Sequence, residues 1–304
     1  MPLGTSTGVV RLQWAGIVER AAEIVAEYDE FGGCTLRQCF YRLFTEGLIP
    51  NTPPVYRRLS AQLARARREE QFPSLIDPER AVHVPPSWPD VDAFVHEMPE
   101  WFRLDRTAGQ AAALYVACEK DTLRAQVTGW IGEFGIPVLV VRGFGSQSYA
   151  DLVRERTARD PRPAVLLYCG DSDASGDDIE RDWVARTGCW DRVERILLTH
   201  TQVEMYGLPA AEGKAGDPRW RAFAARYDLD PATPVQWEVE ALPVEEFRRL
   251  VLDAVDPYVD RAILRAQLAA EEPQHRQLVA LAEEWVAGRW RIRRGDGSAN
   301  GEPP

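Results

Sequence analysis

Two apolar runs, each followed closely by acidic residues, constrain the fold more than any other feature of this sequence. Residues 114–118 are followed by Glu119, and residues 164–169 are followed by Asp171 and Asp173. An apolar run of this length between polar turns is typical of a strand that is buried on both faces. Ligand sites of open α/β sheets lie beyond the carboxyl ends of such strands. We therefore expect these three carboxylates to share one crevice.

The three carboxylates predict a metal site. Neighbouring carboxylates repel one another unless a cation lies among them, and a hard divalent cation with oxygen ligands is the usual solution. Because Mg²⁺ keeps several waters and takes few carboxylates, Glu119, Asp171 and Asp173 suit it as metal ligands, and Mn²⁺ is an alternative.

Strand and helix patterns alternate around the two acidic strand ends. The predicted strands are 114–118, 136–142, 164–169 and 193–199, and the helices between them are 122–134, 147–158 and 176–187. Connections of this length imply right-handed crossovers and a mainly parallel sheet. Further helices are predicted at 201–206, 244–254 and 257–290, and the last ten or so residues are expected to be disordered.

The N-terminal part of the chain is predicted to be helical. Residues 9–29 have apolar residues at helical spacing, and Thr35 with Gln38 fits a capping box for a second helix. On that helix Arg37 and Tyr41 are four residues apart and therefore share a face.

A basic helix is predicted to follow, with Thr52 as its cap and Pro53 in its first turn. Between residues 51 and 68 there is no acidic residue. The same stretch contains five arginines, which are Arg57, Arg58, Arg65, Arg67 and Arg68. With the β-prone residues 81–84 after it, this order of elements predicts a winged helix that docks on DNA phosphates. A solvated surface helix is the alternative.

Charge and cysteine content limit the class of protein. A net charge of −11 argues against coating DNA by bulk attraction, although a local basic face remains compatible with it. No apolar run approaches the roughly 20 residues that span a bilayer, and the N-terminus has no secretory pattern. The five cysteines form no Cys-x-x-Cys pair. We therefore expect a reduced, cytoplasmic protein that does not enter a membrane.

The acids and the tyrosine segment together resemble a known family. Glu119 followed by Asp171-x-Asp173 resembles a Toprim domain, the metal-binding module of topoisomerases, primases and some nucleases. Residues 35–41, Thr-Leu-Arg-Gln-Cys-Phe-Tyr, resemble the Arg-x-x-(Phe/Tyr)-Tyr motif of the type IIB topoisomerase A subunit and of the meiotic double-strand-break transesterase. Gln38 stands where that motif commonly has an acid. Residues 198–209 and 237–243 resemble segments that follow the Toprim domain in this family.

The resemblance covers about residues 35–260 and is closest to the compact bacterial and viral mini-A proteins. It implies an α/β protein with three parts. A winged-helix-like DNA-binding domain with the tyrosine motif occupies 1–105, and a Toprim domain, Rossmann-like with a mainly parallel sheet, occupies 106–262. A C-terminal helix and a disordered tail occupy 263–304. It also implies a homodimer, in which the tyrosine of one subunit meets the metal site of the other.

In such a protein the reaction would be phosphoryl transfer on duplex DNA. The resemblance implies that Tyr41 attacks a phosphorus atom and becomes linked to the 5′ end. Arg37 would stabilise the phenolate or hold the phosphate, and Glu119 would act at the same centre. Lys120 and Asp177 would serve as supports at the metal. The sequence has no Gly-x-x-x-x-Gly-Lys-(Ser/Thr) loop for ATP. Strand passage of the topoisomerase kind would therefore need a separate ATPase subunit.

Other functions remain open at this stage. Tyr41 is structural if the protein is a hydrolytic Toprim nuclease, and the basic helix alone is compatible with a non-catalytic DNA-binding module. Asp171-x-Asp173 also resembles the nucleophile motif of haloacid-dehalogenase-type phosphatases, although that motif normally follows the first strand of the domain. An EF-hand loop is disfavoured, since a strand precedes the motif and Asp182 replaces the closing glutamate.

Overall fold

The computed structural model of the protein describes residues 12–77 and 84–288. Within these ranges the α-helices are α1 (Trp14–Glu27), α2 (Leu36–Thr45), α3 (Pro53–Arg68), α4 (Val91–Trp101), α5 (Asp121–Ile131), α6 (Gln147–Ala158), α7 (Ala174–Thr187), α8 (His200–Met205), α9 (Trp220–Arg226), α10 (Val244–Val255) and α11 (Arg261–Val286). The strands are β1 (Ala113–Cys118), β2 (Val138–Val140), β3 (Ala164–Cys169), β4 (Arg192–Leu197), β5 (Ala211–Glu212) and β6 (Val235–Gln236). None of these helices combines the length and the apolar composition that crossing a membrane requires.

A four-stranded parallel sheet forms the centre of the fold, with strand order β2-β1-β3-β4. Every residue of β1 and β3 is buried, because helices cover both faces of a sheet built from parallel crossovers. The two central strands pair in register, with Cys118 opposite Cys169. The prediction of an α/β fold with a parallel sheet is therefore confirmed.

Several predicted boundaries differ from the observed ones for local reasons. Strand β2 is shorter than the predicted 136–142, since Pro137 cannot donate a ladder hydrogen bond and Arg142 has a positive φ of 51°. Strand β4 ends before Thr199, whose side chain instead caps α8. Helix α11 starts at Arg261 and not at 257, because residues 256–258 form a 3-10 turn and Asp260 caps the helix.

The three predicted N-terminal helices are present. The capping box at the start of α2 is confirmed, since Thr35 and Gln38 exchange both of its hydrogen bonds. Thr52 precedes α3 as predicted, but its side chain makes no capping hydrogen bond. The β-prone residues 81–83, predicted to belong to a wing, lie outside the described residues. The C-terminal tail, predicted to be disordered, also lies outside them. The winged-helix assignment therefore stays a prediction.

The chain divides into two compact units. The first consists of residues 1–81 and 110–259, and the second consists of residues 82–109 and 260–304. The breaks after residues 109 and 259 lie close to the predicted boundaries at 105 and 262, and α1–α3 belong to the same unit as the parallel sheet. In the second unit α4 packs with α11, and Arg106 pairs with Glu271 at 2.7 Å.

A buried polar contact holds α2 against α5 within the first unit. The Nε2 atom of Gln38 donates to Oε1 of Gln126 at 2.6 Å, and Gln126 Nε2 donates to the backbone oxygen of Gly33 at 3.0 Å. Both glutamines are almost fully buried. Because a buried polar group without a partner is costly, this contact fixes how the N-terminal helices pack on the α/β part.

Replacing Gln126 with Leu should therefore destabilise the protein. The amide of Gln38 and the oxygen of Gly33 would lose their partner, and we expect the free energy of unfolding to fall by about 1–3 kcal/mol. Urea denaturation measures this change. Gln147→Leu, at an exposed position of α6, is the matched control and should change the free energy by less than about 0.5 kcal/mol. Equal changes in the two variants would contradict the role given to Gln126.

Candidate active site

Glu119 and Asp171 lie together at the carboxyl edge of the sheet. They follow the paired ends of β1 and β3, and Oε2 of Glu119 accepts a hydrogen bond from the backbone N–H of Asp171 at 3.1 Å. Gly170 lies between the strand and Asp171. A Cβ atom at this position would lie only 2.8 Å from Glu119 Oε2 and 2.6 Å from the ring of Tyr168. The absence of a side chain at residue 170 therefore leaves the space that the Glu119 carboxylate occupies.

Asp173 and Asp177 begin helix α7. Oδ1 of Asp173 accepts the backbone N–H of Gly176 at 2.5 Å and so caps the helix. Asp177, which the resemblance gives as a support at the metal, pairs with Arg226 at 2.6 Å and lies 3.6 Å from Arg195. Asp177 is therefore held by two arginines from elements outside the predicted site.

The ammonium group of Lys120 lies within the group of acids. Its Nζ atom is 2.6 Å from Oδ2 of Asp171 and 3.2 Å from Oε2 of Glu240, and it also contacts Glu238. Only 18% of this side chain is exposed. These carboxylates raise the pKa of Lys120 above its ordinary value although burial opposes them, so the lysine stays charged.

Glu238 is the residue that connects the tyrosine motif to the acids. Its Oε1 atom accepts a hydrogen bond from the hydroxyl of Tyr41 at 2.8 Å, and its Oε2 atom accepts one from Arg37 at 2.7 Å. Lys120 is its third partner. Burial by itself would raise the pKa of Glu238, but the charges of Lys120 and Arg37 outweigh burial and hold that pKa well below its usual range.

Glu240 supports the same group of residues. Its side chain is fully buried and pairs with Arg37 at 2.7 Å, while Thr122 donates to it at 3.1 Å. Glu238 and Glu240 were not among the predicted site residues. The resemblance includes the segment 237–243, but it does not point to these two acids. They lie about 200 residues from Arg37 in the sequence, and no local pattern predicts that they contact it.

The hydroxyl of Tyr41 is buried, and its surroundings keep it protonated. Tyr41 is 6% exposed, and burial together with the charge of Glu238 raises its pKa above the ordinary value, while Arg37 opposes this shift. Within its own chain Tyr41 contacts Glu238. The contact with the metal site of a second subunit, which the resemblance implies, stays a prediction.

A groove opens beside Tyr41 between α2 and α3. Its volume is about 280 Å³. It is lined by Arg37, Phe40, Tyr41, Asn51, Thr52, Pro53, Tyr56 and Arg57. A second cavity of about 510 Å³ shares Arg37 and Tyr56 with it. A third cavity, of about 410 Å³, opens at Glu119, Lys120 and Arg142. Arg37 therefore contacts both the groove and the buried acids.

The five arginines of α3 are all exposed. Arg65 pairs with Glu69 at 2.8 Å, and Arg58 lies over the ring of Trp14. Among the described residues, Arg57 and Arg68 have no ion-pair or hydrogen-bond partner. These two guanidinium groups are the ones most available to phosphates.

The donor set at the sheet edge fits a hard divalent cation in its chemistry. Glu119, Asp171 and Asp173 offer carboxylate oxygens, and burial raises the pKa of Glu119 with a further contribution from the charge of Asp173, although Lys120 opposes it. A cation would relieve this repulsion. In the described part of the chain, no group of three or more acids, histidines or cysteines is arranged as a ready metal site. Asp171 instead pairs with Lys120, and Asp173 caps a helix.

Comparison with known proteins adds no family assignment. No protein-family model matches the chain, and no curated protein matches it either. Function must therefore be inferred from the contacts described above.

Replacing Arg37 with Met should lower stability, because Glu238 and Glu240 would lose one of their two cationic partners among the described residues. Breaking a buried pair costs about 3–5 kcal/mol, and 39% exposure of Arg37 reduces this to about 2–3 kcal/mol of unfolding free energy, measured in urea. Arg65→Met removes an exposed pair with Glu69 and should leave the free energy of unfolding nearly unchanged. A loss in Arg37→Met no larger than this control would show that the cluster does not depend on Arg37.

Proposed function

We propose that this protein cleaves DNA by phosphoryl transfer, with Tyr41 as the nucleophile and a divalent cation held by Glu119, Asp171 and Asp173. The observation that carries the proposal is the hydrogen bond from Tyr41 to Glu238, a carboxylate that Arg37 and Lys120 hold in place. A hydroxyl bonded to a carboxylate that a third group orients is the usual arrangement of an activated nucleophile.

The groove beside Tyr41 supplies a place for the DNA backbone. Arg37 and Arg57 line it together with the ring of Tyr41, and Arg57 has no partner of its own among the described residues. Guanidinium groups bind phosphate oxygens by two parallel hydrogen bonds. A phosphate in this groove would therefore lie near the tyrosine and be held by cations on both α2 and α3.

The protein's own residues would orient the hydroxyl and balance the charge. Glu238 holds the Tyr41 hydroxyl through its hydrogen bond, and the proton passes to solvent as the oxygen attacks phosphorus. Arg37 donates to the phenolic oxygen, from which it lies 3.4 Å away. Attack forms the bond between Tyr41 and the 5′ phosphate and breaks the bond to the 3′ oxygen of the neighbouring nucleotide, which leaves as a hydroxyl after taking up a proton from solvent. A bound Mg²⁺ would supply neutralisation of the negative charge on the phosphate oxygens.

Hydrolysis with a structural Tyr41 is the second proposal, and a specific observation favours it. Tyr41 is almost fully buried and its pKa is raised, so the phenolate is hard to form. In a hydrolytic nuclease water would attack the phosphate, and the hydroxyl of Tyr41 would serve only to orient Glu238. The homodimer and the separate ATPase subunit stay proposals that follow from the resemblance.

Tyr41→Phe separates the two mechanisms, because it removes one oxygen and leaves Glu238 with both of its cations. Supercoiled plasmid is incubated with protein and Mg²⁺ or Mn²⁺, quenched with denaturant, and analysed with and without protease digestion. We expect wild-type breaks to carry covalently bound protein, and Tyr41→Phe to lower their yield by at least roughly 1,000-fold. Tyr227→Phe, whose ring packs on His200, is the matched control and should cleave like the wild type.

The other outcomes of this assay are equally informative. Protein-free breaks that survive Tyr41→Phe would replace transesterification by hydrolysis. Asp171→Asn combined with Asp173→Asn should abolish either kind of break, and retained cleavage would locate the chemistry elsewhere. DNA binding without breaks under any condition would leave a non-catalytic DNA-binding module.

Replacing Arg57 and Arg68 together with Ala should weaken DNA binding and its dependence on salt. Each phosphate contact contributes about 0.9 to the slope of log K against log salt concentration, so we expect the slope to fall by about 2. Fluorescence anisotropy with a labelled duplex measures this slope between low and moderate salt. Arg154→Ala combined with Arg181→Ala removes the same charge from α6 and α7 and is the control. An equal fall in both variants would mean that α3 makes no direct phosphate contact.

A further inference from the structure

Lys120 occupies the place where a cation would be needed at the sheet edge. Its ammonium group pairs with Asp171 at 2.6 Å, and Asp171 is one of the proposed metal ligands. Glu238 and Glu240 also contact the same ammonium group. The protein therefore already supplies one positive charge to the acids from its own chain.

Both oxygens of Asp171 have partners in this arrangement. Oδ2 pairs with Lys120, and Oδ1 accepts the backbone N–H of Val239 at 2.9 Å. The backbone at Val239 is fixed by a neighbouring contact. Trp237, two residues before Val239, exchanges two backbone hydrogen bonds with Ser172, at 2.9 and 3.1 Å. The ammonium group of Lys120 on Oδ2 therefore takes one of the two oxygens and repels a divalent cation that approaches either of them.

Lys120 can release Asp171 without losing all of its counter-charges. A lysine side chain has three donors on a flexible stem, and the carboxylates of Glu238 and Glu240 are already in contact with the ammonium group. These two glutamates can keep the ammonium group paired after it leaves Asp171. Arg37 neutralises them as well, so they are not left without a cation when Lys120 shifts.

We propose that Lys120 is an intramolecular competitor of the divalent cation, so that cation binding moves its ammonium group from Asp171 onto Glu238 and Glu240. This inference rests on the metal site of the proposed function but not on DNA cleavage. Competition by Lys120 makes the affinity for the cation weaker than the three carboxylates alone would give. When the ammonium group moves, the contacts of Glu238 change as well. Cation binding would therefore affect the carboxylate that accepts the hydrogen bond of Tyr41.

The test is direct measurement of Mn²⁺ binding to the full chain, by the electron paramagnetic resonance signal of the free ion. Removing the positive charge from Asp171 should strengthen binding, so Lys120→Met is expected to lower the dissociation constant about tenfold or more. Arg154→Met removes an exposed positive charge from α6 and should leave the constant unchanged. Unchanged or weaker binding by Lys120→Met would overturn the proposal, as would the absence of Mn²⁺ binding by every variant.

A second variant guards against misfolding of Lys120→Met, which leaves buried acids with one cation fewer. Lys120→Met combined with Glu238→Gln removes one charge of each sign and keeps Glu119, Asp171 and Asp173. It should also bind Mn²⁺ more tightly than the wild type, and in thermal unfolding Mn²⁺ should raise its midpoint more than it raises that of the wild type. Equal midpoint shifts would count against competition by Lys120.

The Mn²⁺ measurements are made without DNA. Competition by Lys120 and cleavage of DNA can therefore be contradicted independently of each other. Tighter Mn²⁺ binding by both Lys120 variants, with no cleavage of plasmid by the wild type, would support competition by Lys120 and contradict the proposed function. Cleavage that depends on Asp171 and Asp173, with unchanged Mn²⁺ affinity in both variants, would do the reverse.

Discussion

The first unit depends on the charge balance around two buried carboxylates, those of Glu238 and Glu240. One of the cations that stabilise them comes from α2 and the other from the residue that precedes α5. A buried carboxylate without a cation is far more costly than one that is paired. The tyrosine helix, the sheet edge and the segment that carries these glutamates are therefore held together by the same ionic contacts, and none of the three can shift without affecting the others.

Much of the fold could be predicted because its signals are local. The buried strands follow from continuous apolar runs, and the capping box of α2 follows from Thr35 and Gln38, three residues apart. The meeting of Glu119 with Asp171 could also be predicted, because parallel strands place their carboxyl ends at the same edge. The strand ends were less predictable, since Pro137 lacks an N–H to donate and Thr199 accepts a helix-capping hydrogen bond, and an apolar pattern reveals neither.

The rest of the site was beyond sequence reasoning because it depends on contacts between distant segments. The resemblance implies a supporting role for Lys120, but no local pattern shows that its ammonium group lies among three acids from two other segments. Asp177 has the same implied role, and its contact with Arg226 of α9 is equally absent from any local pattern. Adjacency in the sequence places two residues on the same segment. The direction of each side chain depends on contacts that form only in the fold.

Gly170 has a consequence for how this edge of the sheet can vary. Its missing side chain provides the clearance that the Glu119 carboxylate fills, and even a methyl group would fall within 3 Å of that oxygen and of the Tyr168 ring. Any larger residue would force the acid or the ring aside while leaving every ionisable group in the chain unchanged. A change in side-chain size at residue 170 is therefore enough to alter the sheet edge. A chain with alanine at this position would keep all of its acids, but they would no longer be aligned.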